Sequence, residues 1–459
     1  MTYTDLIFLF GMFPAATVLS LLDRSSEYKN LILILTSLLF FSWGRPFAVC
    51  LIFLSLFVDW GIGLAVGSLR AKSRPAALAM TVIDAAMNLG LMLVFGHNYL
   101  FEGRSPGLEE VMLPVGMGYY SLRGFSYVQD VFRGKIRPER NVFCLMTYMV
   151  SFHLMCAGPV VRYGDMESQI RSREVNTDKL NAGLNRMVWG LGKIVLLSEV
   201  FAKIMAAGLN GNEITTLGCW LGMLAFFARY YFLFTGLCDM SRGLSLVGGF
   251  VLPLNYRDIE PDELFTGMVK SYNTTVVGFF ADLLGLPESK SKVRTAVGAV
   301  ICGGLMGLWY HVSLGCLVIG LAAGALVAAE QLFLKDILAK LPAAVKYIYL
   351  VLTAMIIFGG LEFKSFYGYR KWLLGLVGVG TKYTLSVAVK NAVMNNYVLI
   401  LIAFCVVCAP VRRLITGGAD KLSAKNRRAY SAVRAVKTLA TAAVLVISAI
   451  TLAASASVV

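Results

Sequence analysis

The sequence predicts an all-α polytopic membrane protein, and three features carry that prediction: composition, long apolar runs and the placement of basic residues. Hydrophobic residues make up 58% of the 459-residue chain and charged residues 15%, with a mean hydropathy of +0.70. Soluble domains carry roughly 25% charged residues. The composition therefore excludes an ordinary soluble domain.

Apolar runs that are long enough to cross a bilayer recur along the chain, since one crossing needs about 20 mostly apolar residues. These runs are residues 6–22, 31–69, 76–95, 142–161, 187–209, 217–237, 295–329, 345–361, 397–411 and 439–457. The longest runs have room for two helices, so we expect about 10 to 12 transmembrane helices. The first run contains Pro14 and has neither a basic leader nor a small-residue cleavage site, so we expect a retained helix rather than a signal peptide.

Basic residues account for the net charge of +15, and they cluster between the apolar runs. The clusters lie at residues 70–74, 133–140, 290–294 and 412–437. Cytoplasmic loops of membrane proteins carry an excess of Lys and Arg, and such loops contact anionic lipid head groups. The charge therefore indicates topology in a multi-pass protein of the plasma or inner membrane, and we expect no nucleic-acid partner.

Residues 113–132 combine aromatic side chains with a proline, several glycines, Arg123 and Asp130. Polar or irregular backbone at membrane depth is tolerated only beside protein or a water-filled cavity. We therefore expect re-entrant or interfacial helices around a tunnel. The chain shows no internal repeat or low-complexity linker, which favours a single integral-membrane domain over residues 1–459.

His311 is the most informative ionisable residue, because it lies within residues 295–329, which contain no formally charged side chain. Ionisable groups at membrane depth are costly and usually functional. The alternative is a helix-packing hydrogen bond, worth on average about 0.6 kcal/mol in membranes. The other histidines, His97 and His153, are interpreted as structural or interfacial. Hydrolase, zinc-protease and ATPase motifs are absent, and no metal-ligand pattern is found.

Three further charged residues are candidates for substrate contact. Asp239 and Arg242 are three residues apart and share a helical face, so they either form an ion pair that fixes helix positions or contact a substrate head group. Arg162 follows Gly158 and Pro159 at the end of an apolar run. Its guanidinium could hold an anionic donor or extend to lipid phosphate.

Four blocks of the sequence resemble the membrane-bound O-acyltransferase family, in particular its bacterial, alginate O-acetylation-like branch. The blocks are LPVGMGYYSLRGFSYVQDVFRGKIRPERN, AGPVVRY, FTGLCDMSRGLSLVGGFVLPLNY and GLWYH, and they occur in the order found in that family. They define a motif-bearing core at about residues 107–330, and the helices of residues 345–459 follow it. The resemblance implies helices enclosing a tunnel through the membrane.

The resemblance also implies site residues. His311 takes the position of the family's essential histidine, and Asn273 takes its second polar position, within SYNTTVVGFFADLL. Trp309, Tyr310 and Tyr272 flank these two positions and become candidates for substrate or donor binding. The chain departs from the family at GLWYH, where WYH replaces WHG, and in the SYN block, which lacks the arginines and tryptophans usual there.

The function predicted from these features is acyl transfer, most simply of acetyl, from a cytoplasmic thioester to a hydroxyl of an extracytoplasmic polysaccharide. Burial of His311 would favour the neutral imidazole that serves as general base. The donor would be acetyl-coenzyme A or an acyl carrier protein, used as substrate with no bound cofactor, and an extracytoplasmic or membrane-tethered transferase partner could complete the transfer. Two alternatives stay open: D-alanyl transfer to a teichoic acid-type polymer from a carrier protein, and a transporter or scaffold without covalent chemistry.

Overall fold

The protein is almost entirely helical in the computed structural model, which describes residues 1–43, 46–96, 117–155, 158–209, 214–259, 263–363, 366–381, 383–424 and 427–456. In the described residues the β-type pairings are two isolated bridges, Thr215 with Tyr383 and Tyr256 with Tyr272. The helices in chain order are α1 (Phe13–Ser20), α2 (Ser26–Ser42), α3 (Phe47–Lys72), α4 (Arg74–Gly96), α5 (Met117–Arg133), α6 (Val142–Val150), α7 (Tyr163–Arg171), α8 (Thr177–Gly192), α9 (Glu199–Leu209), α10 (Thr216–Val247), α11 (Leu264–Ser271), α12 (Thr274–Leu283), α13 (Lys292–Tyr310), α14 (Leu314–Ala329), α15 (Lys335–Ala339), α16 (Ala343–Phe358), α17 (Phe366–Leu376), α18 (Val387–Met394), α19 (Tyr397–Val407), α20 (Ala409–Ser423) and α21 (Arg427–Ala456).

Six helical segments of the described chain are long and apolar enough to cross a membrane by themselves. They are Val49–Lys72, Thr216–Val247, Lys292–Tyr310, Leu314–Ala339, Ala343–Leu361 and Arg427–Ser455. A seventh crossing would combine α18 and α19, which are bent by 68° relative to each other. The predicted all-α polytopic class is confirmed.

Other apolar runs form shorter or interrupted helices, so fewer than the expected 10 to 12 crossings are single uninterrupted helices among the described residues. The run at residues 142–161 shows why. Its helix α6 ends at Val150, a short 3₁₀ turn follows at Phe152–Leu154, and Gly158 and Pro159 then prevent the helix from continuing. Hydropathy alone gives such a run the same weight as an uninterrupted helix.

Helix starts follow local side-chain chemistry. Ser25, Asn141, Ser291 and Ser313 precede α2, α6, α13 and α14, and each accepts a hydrogen bond from a backbone N–H in the first turn of its helix. Such caps satisfy donors that have no partner inside the helix, at about 1 kcal/mol each. The helices are therefore delimited by the sequence itself.

The first of two compact units consists of Met1–Leu184, Ser241–Arg257 and Met268–Ile337. It contains the polar segment that the sequence singled out: Arg123 on α5 is fully buried and donates to the carbonyl oxygen of Tyr148 at 2.9 Å. Asp130, on the same helix, is 1% exposed. Polar side chains of the described part of this segment, residues 117–132, are thus buried within the protein. That the segment forms re-entrant or interfacial helices around a tunnel stays a prediction.

A second buried polar group in this unit lies between α3 and α4. Asp59 and Asp84 are both fully buried, and Asn88 donates to Asp59 Oδ1 at 3.1 Å. Within the described chain, neither carboxylate oxygen of Asp84 receives a hydrogen bond. An isolated buried carboxylate is costly unless it is neutralised.

The second unit consists of Asn185–Met240, Asp258–Gly267 and Leu338–Val459. Its core contains Met223, Phe226, Met355 and Trp372. The Trp372 indole donates to the carbonyl oxygen of Cys219 at 3.1 Å, so this large buried ring keeps its polar atom satisfied. That the chain is a single integral-membrane domain stays a prediction.

Candidate active site

His311 lies in the short turn that joins α13 to α14, because the charge-free run of residues 295–329 folds as two helices. The His311 N–H donates to the carbonyl oxygen of Gly307 at 3.1 Å, and its own carbonyl oxygen accepts from the Ser313 N–H at 2.8 Å. The Ser313 hydroxyl accepts from the Cys316 N–H at 3.1 Å and starts α14. The backbone at His311 is therefore fixed on both sides.

The two helices of this hairpin pack backbone against backbone. Gly303 and Gly307 of α13 face Gly320 and Gly324 of α14, and a Cβ on any of the four would come within 3 Å of the opposite backbone. Small residues at membrane helix interfaces permit this close approach, which then depends on van der Waals packing. The hairpin thus determines where its turn, and His311, are placed.

This placement differs from the mid-span position that the sequence favoured. The α13 helix has 19 residues, so it is about 28 Å long, close to the thickness of the bilayer core. His311 stands at its end, and its side chain is partly exposed rather than buried. Hydropathy could not locate the turn, because the turn residues Val312 and Ser313 carry no charge.

Asn273 forms the N-terminal boundary of α12. Its backbone is left-handed, with φ of 56° and ψ of 49°, a conformation that Asn tolerates better than most residues. Its side chain is 3% exposed. The family position assigned from the sequence is therefore a buried amide at a helix end, which is a well-defined location for a polar group.

Asn255 sets the orientation of the Asn273 amide. The Asn255 Oδ1 accepts from the backbone N–H of Thr275 at 3.1 Å and from the Thr275 hydroxyl at 2.6 Å. A backbone N–H can only donate, so the oxygen of Asn255 must face Thr275 and its Nδ2 must face Asn273. That nitrogen donates to Asn273 Oδ1 at 3.0 Å. The Asn273 NH₂ group is consequently directed away from Asn255 and can donate elsewhere.

Helices α12 and α13 are consecutive and antiparallel, which brings Asn273 and His311 to the same end of the pair. At the opposite end, a Cβ on Gly298 would touch the Leu286 side chain, so the end of the α12 segment and the start of α13 are in close contact there. Nearer the site, Val276 and Phe279 of α12 and Trp309 of α13 belong to one apolar cluster. The structure therefore brings the two predicted catalytic positions to one end of this helix pair.

The aromatic candidates lie at the same end. Trp309 packs edge-to-face on Tyr119 with ring centroids 5.0 Å apart, and its indole nitrogen is buried without a hydrogen-bond partner in the described chain. Tyr310 is 54% exposed. Tyr272 forms an isolated bridge with Tyr256 and is half-buried. Substrate contacts for these three residues stay predictions.

Arg162 belongs to a charge network beside a cavity. Its guanidinium donates to Asp130 at 2.6 Å and to Asp282 at 2.5 Å, and Asp282 also accepts from Arg133 at 2.8 Å. The adjoining cavity of about 360 Å³ is lined by Val160, Arg162, Asp165, Thr275, Phe279 and Asp282, among others. Thr275 links this cavity to Asn255 and Asn273. A donor contact for Arg162 stays a prediction, and the structure adds two carboxylate partners that the sequence did not reveal.

Asp239 lies in the second compact unit, where Arg186 donates to it at 2.9 Å and Lys193 at 2.6 Å. Arg186 lies on α8, and Lys193 is seven residues further on, in the π-helical segment Lys193–Ser198 that directly follows α8. The ion-pair interpretation of Asp239 thus gains support, with partners from another helix. Arg242 belongs to the first unit. Substrate contacts for both residues stay predictions.

His153 is 2% exposed and stacks on Phe250 with ring centroids 5.4 Å apart. Its carbonyl oxygen accepts from the Ser241 hydroxyl. His97 lies outside the described residues. Sequence reasoning missed Asn255 and Asp282, which organise the surroundings of Asn273 and Arg162. Asn255 does stand within the quoted LPLNY block, which was a usable signal.

Comparison with known proteins gives a consistent result. Residues 135–281 match the model of the membrane-bound O-acyltransferase family, and this match includes Asn273 and ends before His311. The chain is 27% identical over 339 residues to the Probable alginate O-acetylase AlgI of Pseudomonas fluorescens and 29% identical over 349 residues to that of Pseudomonas syringae pv. tomato. Each alignment covers 72% of this chain and 66% of the relative.

A more distant relative has a related name. The chain is 19% identical over 372 residues to the Peptidoglycan O-acetyltransferase of Helicobacter pylori, covering 71% of this chain and 70% of that protein. The predicted multi-pass membrane location agrees with these matches and with the apolar helices. Residues 135–281 thus resemble the membrane-bound O-acyltransferase family, and most of the chain is similar to the O-acetylases named above.

Proposed function

We propose that this chain is an O-acyltransferase of the membrane that moves an acyl group, most simply acetyl, from a cytoplasmic thioester donor to a hydroxyl of an extracytoplasmic polysaccharide. The observation that carries the proposal is the shared position of His311 and Asn273 at one end of the α12–α13 pair, in a chain that resembles this family. The named relatives favour acetyl as the acyl group, because the names of all three describe O-acetylation. These names also favour a glycan acceptor.

His311 is the proposed general base. The acceptor oxygen attacks the thioester carbonyl, the new C–O bond forms as the C–S bond breaks, and the hydroxyl proton passes to the imidazole. The imidazolium then returns this proton to the leaving thiolate. A positioned base of this kind contributes roughly 10²- to 10⁴-fold to the rate. The fixed backbone of the turn at His311 would hold the ring in one region of the site.

Asn273 is the proposed oxyanion donor. The carbonyl oxygen of the thioester gains negative charge during attack, and an amide N–H directed at it stabilises the transition state. The orientation imposed by Asn255 leaves the Asn273 NH₂ group available for this role. Loss of one such donor typically costs about 3 kcal/mol of transition-state stabilisation.

The location of the base supports an acceptor on the outer side. The α13 helix starts beside Lys290, Lys292 and Arg294, a basic cluster of the kind that stays cytoplasmic. His311 stands about 28 Å along this helix, towards the opposite face of the membrane. The basic loops would attract an anionic donor such as acetyl-coenzyme A or an acyl carrier protein, and a transferase partner outside the membrane could receive the acyl group.

The test is complementation of a strain that lacks the gene, with ester-linked acetyl on the extracted surface polysaccharide as the readout. We expect His311→Ala to abolish transfer and Asn273→Ala to lower it by about 100-fold, at unchanged membrane abundance of the protein. Ser313→Ala is the matched control, because it disturbs the same turn by removing only the α14 cap. Near-normal acetylation by His311→Ala would refute the role of His311. Near-normal acetylation by both site variants would instead support a scaffold or transporter.

A further inference from the structure

A small cavity in the first compact unit, away from the candidate active site, is lined by cationic and polar side chains. Its volume is about 50 Å³, and its lining includes Phe13 of α1, Lys29 of α2, His153, Arg173 and Leu244 of α10. One water-sized group needs roughly 10–15 Å³ by this measure. The cavity therefore has room for about four water-sized groups, and this volume is comparable to that of a phosphate group.

Two cations border this cavity without a carboxylate partner in the described chain. Lys29 and Arg173 are each 7% exposed, and the ammonium group of Lys29 donates to the carbonyl oxygen of Arg24 at 2.9 Å. Arg173 donates from Nε to the carbonyl oxygen of Gly248 at 2.9 Å and from Nη1 to Asn30. These acceptors are all neutral, so the positive charge of the two side chains is not compensated.

The surroundings of Arg173 disfavour its positive charge in the absence of an anionic partner. Its guanidinium lies over the Phe250 ring at 4.3 Å, and burial lowers the pKa of Arg173 to about 10. Buried charges in proteins are normally paired, because desolvation disfavours the charged form. An anion in the cavity would restore the missing counter-charge.

His153 provides an independent indication of a ligand. The residue is 2% exposed, lines the cavity, and its Nε2 has no hydrogen-bond partner among the described residues. Buried polar atoms are nearly always hydrogen-bonded, to protein or to an unseen group. A phosphate oxygen would accept a hydrogen bond from the Nε2–H of a neutral imidazole, while the two cations supply charge-assisted hydrogen bonds.

We propose that Lys29, Arg173 and His153 form a binding site for a phosphate group, distinct from the acyl-transfer site. The position of the cavity favours phospholipid as the source. Its apolar wall includes Phe13 and Leu244, and the neighbouring α1 residues Val18 and Leu19 are exposed apolar side chains that could contact lipid chains. Basic pockets between membrane helices near the interface bind anionic lipid head groups in this way.

The test uses the purified full-length protein in a neutral detergent and measures the thermal unfolding midpoint against ligand concentration. The probes are dioleoyl phosphatidylglycerol, dioleoylglycerol as the phosphate-free lipid, and inorganic phosphate against chloride at matched ionic strength. We expect phosphatidylglycerol to raise the midpoint and dioleoylglycerol to leave it unchanged. Stabilisation by inorganic phosphate alone would identify free phosphate as a sufficient ligand and also support the site.

The variant Lys29→Gln should weaken the apparent affinity for the phosphate probe about tenfold, and Lys29→Arg should restore it. Lys179→Gln is the matched control, because Lys179 also donates at 2.9 Å to a carbonyl oxygen five residues earlier, that of Glu174, but is not part of the cavity lining. This control should stay within about twofold of the parent protein. Equal stabilisation of the Lys29→Gln variant and the parent by every probe, or no stabilisation by any phosphate probe, would overturn the proposal.

Discussion

The closeness of α13 and α14 yields a sharp prediction about His311. A Cβ added at Gly307 would lie 2.9 Å from the carbonyl carbon of Cys316, and closer still to its oxygen. Carbon atoms in contact are normally about 3.5–4.0 Å apart, so Gly307→Ala must separate the helices by roughly 1 Å at this level. Backbone cannot rotate away as a flexible side chain can. The displacement is therefore transmitted to the turn.

The consequences for stability and for activity differ in size. Overpacking of this kind costs about 1–3 kcal/mol, and the better helix propensity of Ala offsets up to about 1 kcal/mol of it. The activity should suffer more, because a 1 Å misplacement of a catalytic group can cost about 10²-fold in rate. Gly307 also accepts the hydrogen bond from the His311 N–H, so the disturbance reaches the base directly.

The matched control is Gly315→Ala, in the first turn of α14 on the other side of the same turn. A Cβ there meets nothing nearer than Ser313 Oγ at 4.0 Å. We expect this variant to keep the parent's unfolding midpoint, or to raise it slightly, and to acetylate polysaccharide normally in the deletion strain. The reasoning is refuted if Gly307→Ala matches Gly315→Ala in both the unfolding midpoint and ester-linked acetyl.

Three further outcomes follow from buried polar groups. Asn255→Ala should lower acetyl transfer at least tenfold at saturating donor, because it releases the Asn273 amide; a purified enzyme with unchanged turnover would contradict this. Asp84→Asn should leave the free energy of unfolding in denaturant unchanged or raise it by up to about 1 kcal/mol. A neutral amide then replaces a buried carboxyl whose oxygens accept no hydrogen bond in the described chain. A lower free energy of unfolding in this variant would show that the carboxylate charge is needed. Asp282→Asn weakens two arginine pairs and should lower the free energy of unfolding by about 1–3 kcal/mol. Glu167→Gln affects a pair whose side chains are 39–48% exposed, and it should lower this free energy by under about 1 kcal/mol. Equal effects of the two variants on the unfolding midpoint would contradict the expected difference.

The fold class and the two catalytic candidates could be predicted because each depends on local information. Apolar runs identify helices wherever they occur, and the block similarities directed attention to Asn273 and His311 without any three-dimensional information. The longest runs were expected to hold two helices each, but the position of the turn at His311 was not predicted, because hydropathy does not mark a turn without formally charged residues. The useful signals were a serine that can cap a helix and the glycines on either side of the turn.

Contacts between distant segments were the part that could not be predicted. The sequence favoured Arg242 as the partner of Asp239, since residues three apart on a helix are neighbours. The structure supplies Arg186 of α8 and Lys193, which directly follows that helix, as partners of Asp239. A long basic side chain from a different segment can reach a carboxylate as well as a residue on the same helix can. The spacing of residues along one helix does not reveal such a partner.

The candidate site is built from helix ends rather than from helix interiors, and this has an electrostatic consequence. Asn273 precedes α12 and Ser313 starts α14, so two helix N-termini, with their partial positive charge, lie at the end of the α12–α13 pair where the thioester oxygen would become negative. His311 stands at the C-terminal end of α13, next to this site. Backbone dipoles would therefore stabilise the negative charge that develops in the proposed transition state. A helix end can do this at membrane depth without adding a charged side chain, which explains how the charge-free run of residues 295–329 could serve an ionic reaction.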